Sequence, residues 1–169
     1  MSLDLHWVTP QLALGGRVPP DAVPALAAEH GIGAVVDLRD EESDDAAAMA
    51  AAGVAFLHLP TPDMHPPRAA DLDRGTAFAA ARLAEGERVL IHCQHGIGRS
   101  AVLALCVLVD AGEAPMAALA RAKAAREIVS PSPRQFEGWC GWLAARGIAA
   151  PDMDTFGRLA YRHLAKADA

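Results

Sequence analysis

The sequence predicts an α/β fold: one domain over residues 1–169, built on a central, mostly parallel, twisted sheet of four to five strands flanked by helices, with a helical C-terminal third. Three observations carry this. Short apolar, β-branched runs alternate with helical stretches in the first two thirds of the chain. Only helical stretches follow after the last such run. The length of 169 residues, with 52% apolar and 21% charged side chains, suits one ordinary globular core that needs neither disulfides nor metal to fold.

In order, residues 7–8 and 12–14 read as short strands ending at Gly15-Gly16, and residues 21–30 as a helix stopped by Gly31. Residues 32–38 form a buried strand. The acidic stretch 40–45 leads into an alanine-rich helix that ends at Gly53, and residues 54–59 form the next strand. Residues 60–67 hold four prolines in eight positions, which predicts a loop without regular structure. A helix over 71–85 closes at Gly86, a strand over 88–92 follows, and a helix over 100–111 leaves the segment after it. Helices over 116–128, 133–146 and 152–165 complete the chain. No internal repeat or linker is visible.

The net charge of −6 argues against a broad nucleic-acid-binding face, so no nucleic-acid partner is expected, although a pocket for a small anion sets its own local field. Residues 1–6 carry no basic segment leading into an apolar one, and no leader is expected. No membrane span is expected either, because the longest fully apolar run, 101–109, is far too short. Cys93, Cys106 and Cys140 are odd in number and widely spaced, which suits a reducing, cytoplasmic location better than a disulfide framework or a zinc site.

Cys93 lies between a strand end and a helix start, in the segment His92-Cys93-Gln94-His95-Gly96-Ile97-Gly98-Arg99-Ser100. Unpaired N–H groups and the positive end of a helix dipole converge at such a junction and make an anion site. Gly96 and Gly98 are expected to supply positive φ or close backbone approach. The same field favours thiolate at Cys93. Arg99 offers a planar fork to two phosphate oxygens, and Ser100 a hydroxyl to the sulfur as it leaves. His92 is expected to order the loop by hydrogen bonding, and the backbone from Gln94 through His95, Gly96, Ile97 and Gly98 to Arg99 to cradle phosphate.

His92-Cys93, five residues, then Arg99-Ser100 resembles the signature loop of the cysteine-dependent protein tyrosine phosphatases, specifically the compact dual-specificity branch of bacterial type. More distant similarity extends over residues 5–145, through segments such as Leu12 to Gly16 and Val35 to Arg39. The resemblance implies phosphomonoester hydrolysis through a phosphocysteine on Cys93, with no cofactor and no metal. It also implies an aspartic acid about thirty residues upstream that protonates the leaving group, a position met by Asp63 behind Pro62. Asp71 and Asp73 compete for that role, but read better as an N-cap and first-turn charge of the following helix.

The implied substrate is a phosphorylated protein or peptide; a phosphoinositide or other non-protein phosphomonoester is the alternative, and the protein is expected to act as a monomer. Thr61 stands where tyrosine-specific members carry tryptophan, and no tyrosine-bearing recognition loop is visible, since the single tyrosine is Tyr161. A shallow pocket is therefore expected. Gln94, His95 and Ile97 in place of lysines weaken the inositol-phosphate option. His95 either points into the rim or packs on the Asp63 loop.

Arg126 and Arg134 read most plainly as solvated helix-end charge, with ordering the pocket or meeting substrate as the alternative, and Glu41, Glu42, Asp44 and Asp45 as a solvated helix start. Cys106 reads as core filler, with a disulfide to Cys93 as the lesser option, and Trp139, Trp142 and Leu143 as a packed helix face. A water-positioning role for Gln135 stays open. His6, His30, His58, His65 and His163 show no ligand spacing.

Overall fold

A computed structural model describes residues 2–167. Its sheet has the order β1-β2-β5-β3-β4, from strands Leu5–Trp7 (β1), Leu12–Gly15 (β2), Ile32–Arg39 (β3), Ala55–Thr61 (β4) and Arg88–His92 (β5). Only β1 runs antiparallel to its neighbour; β2, β5, β3 and β4 are parallel, as the strand–helix alternation predicts. The helices are Val23–Ala28 (α1), Ala46–Ala51 (α2), Ala69–Ala84 (α3), Arg99–Asp110 (α4), Pro115–Ala125 (α5), Pro133–Ala145 (α6), Met153–Ala160 (α7) and Arg162–Ala167 (α8).

The pleat sorts β5 between two cores. Val89 and Ile91 face the larger core beneath α4, while Leu90 faces the smaller one beneath α1 and α2. Helix α4 is buried from Arg99 through Val109, so the apolar run 101–109 is the central helix of the layer. Among the described residues no helix is long and apolar enough to cross a membrane.

Several boundaries differ from the sequence reading, among them β1, which spans Leu5–Trp7 against an expected 7–8, and α5, which ends at Ala125 against an expected 128. Strand β4 continues through Pro60 and Thr61, which were expected in the loop; β4 is the sheet's edge strand and pairs only with β3, so a proline lacking its N–H is tolerated there. Residues 20–22 form a 3₁₀ turn ahead of α1, where Pro19 and Pro20 restrict the entry. The predicted helix 152–165 is broken at Tyr161 into α7 and α8.

Candidate active site

Strand β5 ends at His92, and the loop that follows enters α4 at Arg99, with Gly98 as its N-cap. Every carbonyl from Cys93 to Ile97 accepts a hydrogen bond from outside the loop. The donors are His92 Nδ1 to Cys93 O (3.2 Å), Arg17 N to Gln94 O (3.0 Å), Arg126 Nη2 to His95 O (2.7 Å), Arg126 Nε to Gly96 O (2.9 Å) and Ser130 N to Ile97 O (2.9 Å). In a trans peptide the C=O and the following N–H point in opposite directions. Carbonyls pinned outward therefore turn the N–H groups of Gln94 to Gly98 inward, together with the free N–H groups of the α4 N-terminus.

The two glycines serve different needs. Gly96 has φ 66°, and a Cβ there would meet the Gly15 carbonyl at 2.6 Å and Arg126 Nη2 at 2.8 Å. Gly98 does not adopt positive φ; its N-cap value is −121°, and what it requires is space, since a Cβ would collide with the Gln135 side chain.

Arg126 corrects the plainer of its two sequence readings. Far from being solvated, it is buried, gives two of its N–H bonds to loop carbonyls, and is paired through Nη1 (2.7 Å) and Nη2 (2.9 Å) with both oxygens of Asp4. That pairing, chiefly the Arg126 hydrogen bond, holds the Asp4 carboxyl below its usual range. Arg134 does lie on the surface, 3.4 Å from His65 Nε2.

The acidic stretch is a second correction. Asp45 caps α2 as expected, accepting from Ala47 N and Ala48 N. Asp44, however, is drawn inward, where it accepts from Arg39 Nη2 (2.9 Å) and from His92 Nε2 (2.6 Å). Arg39 also binds Asp37 through Nε (3.0 Å) and Nη2 (2.9 Å). Burial alone would raise the Asp37 carboxyl, but the Arg39 bonds and the nearby His92 outweigh it and hold it below its usual range. Ligand atoms of Asp37, Asp44 and His92 lie within 4.8 Å of one another, yet the guanidinium already occupies both carboxylates. His92 is thus fixed at both ring nitrogens, consistent with an ordering role.

Glu41, also expected to be solvated, forms a two-toothed pair with Arg99: Oε1 to Nη1 at 2.6 Å and Oε2 to Nη2 at 2.9 Å. The Arg99 hydrogen bonds hold the Glu41 carboxyl down at about 2. Thr61 O accepts from Arg99 Nη1 as well (2.9 Å). The guanidinium is buried and fixed in plane, and its Nε has no hydrogen-bond partner among the described residues. An unpaired buried N–H of this kind is costly unless an acceptor arrives.

Cys93 Sγ lies 3.1 Å from Ser100 Oγ, and both residues are buried. Asp63 sits beyond β4 in a turn closed by His65 N to Pro62 O (3.1 Å); its carboxylate accepts from Met64 N and lies 3.5 Å from Arg99 Nη2. Met64 takes φ 65°, a left-handed value usually left to glycine at that turn position. The N-terminus of α6 holds this loop: Ser132 Oγ donates to Met64 O (3.2 Å), and Gln135 Nε2 to His65 O (3.2 Å). Gln135 also accepts from Ser132 N in a capping box, so it is committed to α6 and to the Asp63 loop.

One cavity of about 350 Å³ is lined by Cys93, Arg99 and Asp63, together with His95 and Ile97. Asp71 and Asp73 lie elsewhere. Asp71 is not an N-cap, a place taken by Arg68 without a side-chain bond, but a first-turn carboxylate paired with Arg68 (2.8 Å); Asp73 pairs with Arg146 (3.1 Å). Cys106 is buried in the core, where burial raises its thiol well above the usual range, and all three cysteines are free. Tyr161, the single tyrosine, reaches the same cavity from the C-terminal helices, together with Leu164. Its hydroxyl donates to Pro131 O at 2.6 Å.

Comparison with known proteins agrees with this geometry. A family model described as "Polymorphic toxin system, DSP-PTPase phosphatase" (Tc-R-P) matches residues 20–113, which include Asp63 and the whole loop from Cys93 to Arg99. Human dual specificity protein phosphatase 12 is 30% identical over 149 residues, covering 88% of this chain and 43% of that protein, so the chain spans less than half the length of this relative. Among solved structures, Tk-PTP in its active form superposes with a TM-score of 0.76 at 25% identity, covering 84% of this chain and 97% of that one. PTPMT1 in complex with PI(5)P gives 0.77 at 24% identity, covering 85% and 98%, and human DUSP28 gives 0.73 at 24%, covering 87% and 97%; both show a shared fold.

Proposed function

The chain belongs to the dual-specificity branch of the cysteine-dependent protein tyrosine phosphatases, and on that premise we propose that it hydrolyses phosphomonoesters in two steps, as one catalytic domain acting in a reducing cytoplasm. The observation that carries the reading is the set of outward-pinned loop carbonyls, which turns the N–H groups from Gln94 to Gly98 inward, beside a cavity lined by buried Arg99, whose Nε has no hydrogen-bond partner among the described residues. Phosphate oxygens satisfy those donors, and because they are held in place beforehand, no reorganisation is needed as charge shifts in the transition state.

In the first step Cys93 Sγ forms a bond to phosphorus, the ester P–O bond breaks, and Asp63 gives its proton to the departing oxygen. In the second, water attacks phosphorus, Asp63 takes its proton, and the S–P bond breaks to return the thiolate beside Ser100 Oγ. Arg99 and the loop amides carry the positive charge on this route, so no metal is called for. Glu41 sets the plane of the Arg99 fork, and Arg126 keeps the loop carbonyls turned away.

A phosphorylated protein or peptide is the substrate class that fits best. Of the side chains lining the cavity, Arg99 is the permanently charged cation, and the transferred phosphate uses it, so further phosphates on one head group would find no second such partner. A phosphoinositide is the second reading, since a structure of similar fold, PTPMT1, is in complex with PI(5)P.

The test is Cys93→Ser. Turnover of an aryl phosphate should fall by about 10⁴-fold or more while tungstate still binds the loop. Turnover near the wild-type rate refutes the assignment.

A further inference from the structure

The cavity has a wall that the signature loop does not supply. Tyr161, at the junction of α7 and α8, and Leu164, in α8, line it beside Cys93 and Asp63. This junction is a fixed part of the fold. The Tyr161 hydroxyl is tied to Pro131 O, and its ring stands edge-on to buried Phe156 at 6.1 Å and 85°, with Phe156 in turn 4.3 Å from Phe136. Buried Lys123 donates to Ala160 O (2.8 Å) at the C-terminus of α7, to Glu127 O, and contacts His163 Nδ1 (3.0 Å). A cation there also suits the negative end of the helix. Arg162 adds a two-toothed pair with Glu127, at 2.8 Å for each bond.

The wall is apolar where a surface would ordinarily be polar. Leu164 is 53% exposed and Met64, from the acid loop, 61% exposed, and both border the cavity with the Tyr161 ring, Ile97 and Pro133. Apolar groups left open to water around a phosphate-sized anion site are matched by a ligand that is charged at one end and flat and apolar at the other.

We propose that Tyr161 and Leu164 are specificity-determining residues: the C-terminal helices receive the group esterified to the phosphate and favour an aromatic ring over a small aliphatic one. This deepens the phosphatase reading and rests on the same anion site, but it concerns binding and is tested without turnover.

The probes are phenylphosphonate and methylphosphonate, which cannot be hydrolysed, titrated calorimetrically into the full chain. The wild type should bind the phenyl compound about ten-fold more tightly, which is roughly the gain from burying one face of a ring. Leu164→Ala, at an exposed position that does not threaten folding, should cut that ratio about three-fold. Tyr161→Ala should cut it further, and Tyr161→Phe, which keeps the ring but loses its hold on Pro131, should cut it less. A wild type without preference, or a ratio unchanged in both alanine variants, overturns the proposal. Phenyl phosphate hydrolysis by the wild type separates the two readings: no hydrolysis with a shifted ratio would sink the catalysis and leave the wall, and hydrolysis with an unshifted ratio would do the reverse.

Discussion

The phosphate loop, residues 93–99, and the acid loop, residues 62–67, face the same cavity but are held in opposite ways. Each carbonyl from Gln94 to Ile97 is gripped from outside, by β2's neighbour Arg17, by Arg126 and by Ser130, and the strand below is locked through His92, Asp44 and Arg39. The acid loop is tied to α6 by a hydroxyl and an amide, and its carboxylate is 61% exposed. On the proposed mechanism the difference follows from the two tasks. Stabilising charge on phosphorus requires donors that do not move, whereas delivering a proton to leaving groups of varied shape tolerates a lighter hold. Substitutions in the first loop should therefore cost stability and rate together, and substitutions in the second rate alone.

Four experiments break or sharpen that contrast. Asp63→Asn should have the largest effect on rate, about 10²–10³-fold on esters of poorly leaving alcohols and much less on activated aryl esters, with an unchanged melting temperature. A uniform loss across leaving groups, measured as a kcat series, would remove Asp63 from the acid role. Gly96→Ala should lower kcat/KM about 100-fold and also destabilise by about 1–3 kcal/mol, because a left-handed φ and a blocked Cβ force the loop to shift. Denaturant unfolding beside the kinetics checks both halves, and a loss of rate at wild-type stability would contradict the over-determined floor.

Arg126→Met should leave the His95 and Gly96 carbonyls without donors and cost about 2–3 kcal/mol of stability, with roughly a ten-fold loss in kcat/KM. Arg126→Lys should recover part of the stability but less of the rate, since one ammonium cannot serve both carbonyls and Asp4 in the same plane. The smallest effect is expected for Glu41→Gln, about a five-fold fall in kcat. Because the Glu41 carboxyl is lowered from 4.5 to about 2, its pairing with Arg99 is complete above pH 4.5 and is lost only as pH falls toward 2. The acid limb of the pH–rate profile above pH 4.5 should therefore coincide in wild type and variant; a displaced limb would mean that Glu41 titrates in the working range.

The parallel strands and the burial of the run 101–109 were legible because each depends on short-range pattern, whereas the expectation that Asp63 joins Cys93 and Arg99, with which it lines one cavity, came from the family resemblance. Alternation and apolar runs report layers, and a thiol five residues ahead of Arg-Ser between strand and helix reports a loop closed on an anion. Even the misplaced end of β4 followed from a local rule: proline forbids a central strand, and only the sheet order shows that this strand lies at the edge.

Charged residues remote in sequence were misread for one shared reason. Arg126, Glu41 and Asp44 look like ordinary surface charge in their own segments, and nothing within a few positions indicates that Arg126 meets Asp4 or that Glu41 meets Arg99. The partners lie 122 and 58 positions away. The sequence by itself determined the layered architecture, the chemistry of the loop and the types of side chain it needs, since spacing along the chain fixes backbone geometry over one turn. Only the tertiary structure decided which distant charges clamp that loop and that the C-terminal helices close its cavity, because burial and ion pairing depend on where segments meet in space.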